Sequence, residues 1–325
     1  MNRLKAVREI DGWTQHTLSE MLGVSTALIS LVETGRRPLT FDISPTGYSN
    51  ERFDLPDMSE PLHRQKTATR VTDTYRAKEL VRLGGEIFTE LRDRTPNAPK
   101  VRLDRLPAPR SIEEIESVAV ELRLLLSLEA SGPIRNLTAA VERVGVCLIP
   151  LVGLPGIDGL SAWVNGQPVI GLSPAVPGDR FRFSLSHELA HLLFHHQRSE
   201  NAENEANRFA GALLVPRDDL DLALSGTSPT LKDFIGLKAS TGMSVAALVY
   251  RAHELGHLDD SRYRSLQIQM ARWRRSEPGE FPPVTGALLP RLVEEAGGHS
   301  TVAADLKMPV RHVSEVTNWS VLRAA

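Results

Sequence analysis

Three hundred and twenty-five residues, 41% of them hydrophobic, are enough for two or three units that each bury a core, which excludes a disordered chain. Thirty-eight Lys plus Arg against 40 Asp plus Glu leave a formal charge of −2, which excludes whole-molecule attraction to nucleic acid or anionic membrane and leaves only local patches. The single cysteine, Cys147, excludes an internal disulfide framework and sits in the apolar run from Val144 to Leu151, where it reads as a small core residue. No apolar run reaches the roughly 18 residues of a membrane span, and Arg3, Lys5 and Arg8 are followed by no long apolar core, so a cytoplasmic protein without membrane contact is expected.

In chain order, Leu4, Val7 and Ile10, then Leu18 and Leu22, then Leu28, Ile29 and Val32 recur at helical spacing, with Gly23 between the second and third runs. From about Thr40, Pro45, Gly47, Pro56 and Pro61 among acidic residues predict an irregular connector. A helix is expected from Val71 to Arg94. The basic residues around its start, Arg64, Lys66, Arg70, Arg76, Lys78 and Arg82, read first as a solvated face and second as phosphate contacts. Pro96, Pro99, Pro107 and Pro109 mark another linker, after which Ser111 and Glu114 form a capping-box start for a helix to about Leu128. A helix near Asn136 to Val144 leads into a strand, Gly145 to Pro150. Two more strands, Leu160 to Val164 and Val169 to Leu172, flank Asn165-Gly166, a hairpin signal. Long helices follow over Asp179 to His196, Ala202 to Leu214 and, after Pro216, to Arg275. Pro278, Pro282 and Pro283 then precede a small helical tail. These breaks divide the chain into residues 1–44, a linker with a basic helix at 45–110, a domain at 111–276 and a tail at 277–325.

The chemistry concentrates in Phe183-Ser-Leu-Ser-His187-Glu188-Leu-Ala-His191-Leu-Leu-Phe-His195, an HExxH motif inside a segment of helical period. One helical turn puts His187 and His191 on one face, where both imidazoles can share a metal, and Glu188 lies beside them to hold an attacking water. A catalytic zinc also wants a third protein ligand and one open position. Glu203 and Glu205 are the downstream candidates. Glu203 is favoured because Asn207 lies one turn on, placed to orient a ligand from the second shell, whereas Glu205 aligns with Phe209. His195 continues the metal face by a further turn and reads as a helix-end or second-shell group, since a fourth protein ligand would close the site to water. His196, His253 and His257 lack comparable spacing, and Tyr250, in an apolar helical stretch, reads as packing.

Arg180 to His195, followed by Glu203-Asn-Glu-Ala-Asn-Arg-Phe-Ala-Gly-Ala-Leu-Leu-Val-Pro216, resembles the ImmA/IrrE family of bacterial and phage zinc-dependent regulatory peptidases, over about residues 110 to 275. The resemblance implies an α+β, gluzincin-like peptidase domain built of a small antiparallel sheet plus helices. It also implies one Zn2+ per chain on His187, His191 and Glu203, with Glu188 as catalytic base. It further implies a protein substrate, a repressor or other regulator. The hairpin strands offer an edge along which an extended peptide can pair its backbone.

Thr14 to Gly35 resembles the helix-turn-helix of the Xre/Cro repressor class, with Gly23 at the turn and Leu18, Leu22, Val24 and Ile29 packing the two helices. By that resemblance Gln15 approaches phosphate, and Ser25, Thr26, Ala27 and Ser30 face the major groove of double-stranded DNA. Two departures stand out. Leu31 replaces a polar residue of the recognition helix, and the two further helices that complete an Xre bundle are missing from Pro38 to Pro61, so the core is expected to lean on the peptidase domain, on residues 41 to 94 or on a partner, a homodimer included. The tail from Gly297 to Val313 only faintly suggests a second such motif. Together these features predict a regulatory zinc endopeptidase joined to a DNA-binding region, involved in transcription regulation and stress response. The alternative is a transcriptional regulator whose peptidase-like domain senses a ligand or metal without proteolysis.

Overall fold

The computed structural model describes residues 2–61, 69–195, 200–226, 228–273 and 276–320, so Arg64, Lys66 and His196 lie outside the described residues. The helices are α1 (Arg3–Asp11), α2 (Gln15–Leu22), α3 (Thr26–Glu33), α4 (Val71–Arg94), α5 (Ile112–Leu125), α6 (Leu137–Arg143), α7 (Gly178–Phe194), α8 (Ala202–Leu214), α9 (Arg217–Leu224), α10 (Leu231–Thr241), α11 (Val245–Glu254), α12 (Asp260–Met270), α13 (Leu288–Glu295), α14 (Gly298–Asp305) and α15 (Val310–Glu315). The strands are β1 (Cys147–Pro150), β2 (Gly159–Val164) and β3 (Gln167–Leu172), making the fold mixed α+β. Packing does not follow the proline-rich breaks. One unit gathers Met1–Val101, Val146–Ser173 and Gly286–Ala325, and the other gathers Arg102–Gly145 and Pro174–Thr285.

In the first unit, α1, α2 and α3 each start on a side-chain cap. Asn2, Thr14 and Ser25 accept hydrogen bonds from the backbone N–H groups of Lys5, Thr17 and Leu28, which satisfies donors that a helix start leaves open. Gly23 ends α2 in the left-handed region, φ 63°, and the chain turns at once into α3. A buried carboxylate ties the three helices together: Glu33 accepts from Arg8 Nε at 2.6 Å and from Gln15 Nε2 at 2.8 Å. Among its described residues, the connector after α3 holds only two short 3-10 turns, Ser44–Thr46 and Asn50–Arg52.

Not only residues 41 to 94 or the expected peptidase domain but also the tail adds to the core of these helices. Leu288, Leu289, Leu292, Val293, Val302, Ala303, Leu306, Met308, Val313 and Val316 enter the same apolar core as Leu4, Val7, Ile10, Leu18, Ile29 and Val32. A polar node closes the seam. Asp11 accepts from Arg311 at 2.8 Å and from His312 Nε2 at 3.0 Å, and the other ring nitrogen of His312 bonds the buried Tyr48 hydroxyl at 2.8 Å.

The sheet belongs to this core as well, and α4 joins the two parts. α1 packs on α4, and a bidentate Arg3–Glu86 pair at 2.6 and 2.7 Å fixes the crossing. α4 in turn lies on all three strands. Such close approach needs the two adjacent glycines: a Cβ on Gly84 would sit 2.6 Å from Ile149 Cγ2, and one on Gly85 would sit 2.7 Å from Val164 Cβ. Gly85→Val should therefore destabilise the protein by about 1–3 kcal/mol through overpacking, which outweighs the few tenths it recovers in helix propensity. A shift of the urea midpoint at unchanged m value measures this.

The sheet corrects one expectation. It is not purely antiparallel: the order is β1-β3-β2, with β2 antiparallel to β3 and β1 parallel to it. The hairpin turns at Asn165 and Gly166, both at positive φ as a tight two-residue turn demands, but the loop after β1 carries the chain past the neighbouring position. β3 then returns into the centre, running with β1. Of the hairpin, only β2 is an edge, and its far end is already paired, by a bridge from Met58 to Val164 and by Ser59 donating to the Trp163 carbonyl at 2.9 Å.

In the second unit α7 packs against α8, and α8 against α5 and α11. Buried cations lock these helices. Arg123 donates to the carbonyls of Glu129 and Leu213, at 2.8 and 2.7 Å, and to that of Gly132. Arg251 clamps Glu116 at 2.8 and 3.0 Å, and Lys238 bridges Asp179 at 2.6 Å and Glu277 at 3.0 Å.

Candidate metal centre

α7 is a helix with Phe181, Leu185, Leu189 and Leu192 buried at helical spacing, and that burial leaves the face carrying His187 and His191 turned towards α8. α8 buries Ala206, Phe209, Ala210 and Leu213, with Phe209 edge-on to Phe194 at 5.3 Å between ring centres. Glu203, in the first turn of α8, is thereby brought to the two histidines. His187 Nε2 and His191 Nε2 lie 3.0 Å apart, and the Glu203 carboxylate oxygens lie 3.6 Å from each.

These are the spacings of donors around one small cation. At zinc–donor distances of about 2.0–2.1 Å, the corners of a tetrahedron are about 3.3–3.4 Å apart. Two imidazoles and one carboxylate are also the donor set of a catalytic zinc with an open position. Among the described residues this trio is the one group of three His, Cys, Asp or Glu side chains close enough to share an ion. Glu188, next to His187 on α7, is buried at 5% exposure.

The surroundings orient the ligands. His187 Nδ1 and the Asn207 amide oxygen are 3.0 Å apart, so Nδ1 carries the proton and Nε2 presents its lone pair. Burial pushes the His187 imidazolium down to about 4, against the opposing effect of the Asn207 bond, so this ring is neutral near pH 7. Asn207 thus serves a histidine, whereas its position one turn after Glu203 suggested that it would serve the carboxylate. α7 stops at Phe194, and His195 has left the helix, with φ −102° and ψ 83°. Its ring nonetheless meets His191, Nδ1 to Nδ1 at 2.9 Å, and its Nε2 lies 2.9 Å from Glu205.

Sequence reasoning missed Glu205, because helical spacing alone pointed it at Phe209. It also missed Tyr250, which is not core packing: at 45% exposure it lines a cavity of about 270 Å3 together with Phe183, Asn207, Met243 and Glu254. Burial and the neighbouring Glu254 carboxylate raise the Tyr250 phenol above its ordinary value. His253 and His257 stand apart, bonded to Asp260 at 2.9 Å and Asp221 at 2.7 Å.

Of the residues expected to meet DNA, Ser25, Thr26 and Ala27 are exposed at the start of α3 and Ser30 is half-buried. The Thr26 hydroxyl lies 3.1 Å from that of Ser19, and the Gln15 amide is engaged by Glu33. Of the basic run, Arg76 pairs with Glu315, and Arg82 pairs with Glu79 at 3.1 Å.

Comparison with curated proteins gives no match. Residues 142–253, which contain the three strands, α7, α8 and most of α11, match the model of the IrrE N-terminal-like domain, Peptidase_M78, a narrower span than the resemblance over residues 110 to 275. The match supports a peptidase of the ImmA/IrrE type in this part of the chain.

Proposed function

We propose that the protein is a regulatory zinc-dependent endopeptidase that cleaves a specific protein partner such as a transcriptional repressor, coupled to an Xre-type DNA-binding region at α2 and α3. The observation that carries this reading is the triangle of His187, His191 and Glu203, with sides of 3.0, 3.6 and 3.6 Å, inside a stretch matching a peptidase model. Those residues would hold one zinc per chain. When bound, zinc supplies Lewis acidity that polarises a peptide carbonyl and makes water acidic near neutral pH. The histidines contribute neutral Nε2 lone pairs, and Glu203 contributes a single negative charge. The Glu188 carboxylate takes a proton from the attacking water and delivers it to the nitrogen of the departing amine.

The DNA-binding part of the reading draws support from the tail, which gives α1 to α3 the packed core that their own connector does not. Residues 1–40 carry a net charge of only +1, and the exposed side chains of α3 are short, so binding requires close docking and gains little from long-range attraction. A single copy should bind weakly and with strong salt sensitivity, whereas two copies on paired half-sites gain useful affinity. A cytoplasmic setting fits a partner that is itself a regulator.

Metal analysis of the purified protein, joined to a cleavage assay against proteins encoded beside it, tests the peptidase. About one zinc per chain and cleavage of one partner at a defined bond are expected. A mobility-shift series on its own promoter tests the DNA-binding part. Absence of any shift by the full chain would leave α2 and α3 as a protein-recognition module, and zinc binding without cleavage of any partner would favour the sensor reading.

A further inference from the structure

We infer that the cavity beside the metal centre is the pocket that selects the substrate, and that it takes the large apolar side chain of a residue flanking the bond to be cut. The inference rests on the peptidase reading and names the class of residue that such a substrate has to present. One wall comes from α11. Ala247, Tyr250, Arg251 and Glu254 recur at spacings of three and four along a single face of that helix, while Leu248, Val249 and Ala252 on the opposite face are buried in the core. Phe183, Asn207 and Met243 close the cavity. Two of these are immediate neighbours of a proposed ligand: Phe183 lies one turn before His187 on α7, and Asn207 hydrogen-bonds the His187 ring at 3.0 Å. A helical turn rises about 5.4 Å and successive Cα atoms of a peptide are about 3.8 Å apart, so a substrate held at the triangle has a flanking residue within reach of the cavity.

Charge and size define the occupant. Each charged group on the wall already has a partner inside the protein. Arg251 donates to Glu116 at 3.0 and 2.8 Å and to the Val215 carbonyl at 2.7 Å. Glu254 pairs with Arg208 at 3.1 Å and accepts a hydrogen bond from the Tyr250 hydroxyl. A charged substrate side chain entering here would give up its hydration and meet no free counter-ion among these residues, whereas an apolar one gains burial against Phe183, Met243, Ala247 and the Tyr250 ring. The cavity measures about 270 Å3, and an apolar cavity of about 150 Å3 is already enough to hold benzene. Phe, Leu and Met therefore fit, and Ala or Gly would leave most of the space empty. Ala247 keeps that space open, as the smallest side chain in the α11 stripe. Tyr250, at 45% exposure, leaves aromatic surface in water that such a substrate would cover.

The test uses the metal-free full-length protein with its methionines labelled at the methyl carbon, titrated with the N-acetyl amides of phenylalanine, leucine and aspartic acid. Met243, 1% exposed in the wall, is the reporter, and Met243→Leu assigns its resonance. The phenylalanine and leucine amides should shift that resonance saturably, with the aspartic acid amide binding at least about tenfold more weakly. Ala247→Phe, which fills the cavity, should abolish the shift. Tyr250→Glu, which puts a charge into the wall at an exposed position, should weaken binding of the phenylalanine amide about tenfold. Thermal unfolding checks both variants, and if Ala247→Phe unfolds, Tyr250→Glu decides. In a second arm the zinc-loaded protein is incubated with a random peptide mixture, and mass spectrometry reads the cut sites. Wild type should cut beside Phe, Leu or Met, and Ala247→Phe should move the cuts to Ala, Gly or Ser, a redistribution that a merely structural role would not produce. A Met243 resonance indifferent to the phenylalanine amide, or equal affinity for all three amides, overturns the pocket, as do cuts made without regard to the flanking side chain. The peptidase reading fails differently: the zinc-loaded protein then cuts no peptide while Met243 still answers to the phenylalanine amide and not to the aspartic acid amide, which keeps the pocket for apolar residues and removes the enzyme.

Discussion

Glu188→Gln should retain one metal per chain and the wild-type melting temperature, yet cleave its protein partner about 10²–10⁴-fold more slowly. The side chain is 5% exposed and the substitution is isosteric, so packing is preserved while the carboxylate proposed to receive the proton is lost. His187, His191 and Glu203 are untouched, so their donor triangle stays intact. Single-turnover cleavage measured beside metal content separates the possibilities: a variant that loses metal and activity together would place Glu188 among the groups that hold the ion, and a variant cleaving at the wild-type rate would deny it the role of base. Transcriptional output in the same variant adds a third reading, since unchanged regulation without cleavage would favour the sensor function.

Removal of residues 286–325 should abolish cooperative folding of the first unit. Ten buried apolar side chains from α13 to α15 enter the core shared by α1 to α4 and the sheet. At about 1.5–3 kcal/mol for each fully buried Val, Leu or Met, their loss is on the order of 15 kcal/mol, which equals or exceeds the ~5–15 kcal/mol that usually separates a folded domain from its unfolded chain. The seam also carries charge. Burial acts to raise the Asp11 carboxyl, but hydrogen bonds from His312 and Arg311 outweigh it and hold the group below its ordinary value. The ionised Asp11 therefore adds stability that is present above the ordinary carboxylate range and is lost as pH falls through its own lower value. Truncation removes both of its partners. Near-ultraviolet circular dichroism and a thermal scan of the truncated chain should show no sharp transition from the first unit. A truncated chain that melts as wild type does would show that α1 to α4 and the sheet hold together unaided. Because the sheet lies within the stretch that matches the peptidase model, peptidase activity should disappear along with the tail.

Local signals were legible wherever a structure depends on neighbours in sequence. Helical period predicted α1 to α3, Val71 to Arg94 emerged as the helix it is, and Asn165-Gly166 turned the hairpin. The trio His187, His191 and Glu203 was readable for the same reason, since two of its members are one helical turn apart and the third begins the next helix. Contacts between distant residues were not readable. Nothing in the pattern of residues 38–61 announces that Val313 and Leu289 will join the same core as Ile29, because apolar side chains carry no label for their partners. Glu205 was hidden by a different cause: His195 steps out of the helical path, so the spacing that located His191 no longer located the group behind it. The parallel pairing of β1 depends likewise on the route of a loop, for which hydrophobic alternation has no signal.

The first unit is built from three stretches of chain that enclose the second unit in sequence, and this ordering has a consequence in time. On the ribosome α1 to α4 emerge early, but α13 to α15 follow only after the intervening 185 or so residues have been made, roughly 10–40 s later at ordinary rates of synthesis. Throughout that interval the core that Ile10, Ile29 and Val32 share lacks the ten apolar side chains that the tail brings to it. The early helices therefore wait as a sticky, half-built surface, a natural client for chaperones. Only once the tail has docked do α2 and α3 belong to a completed core.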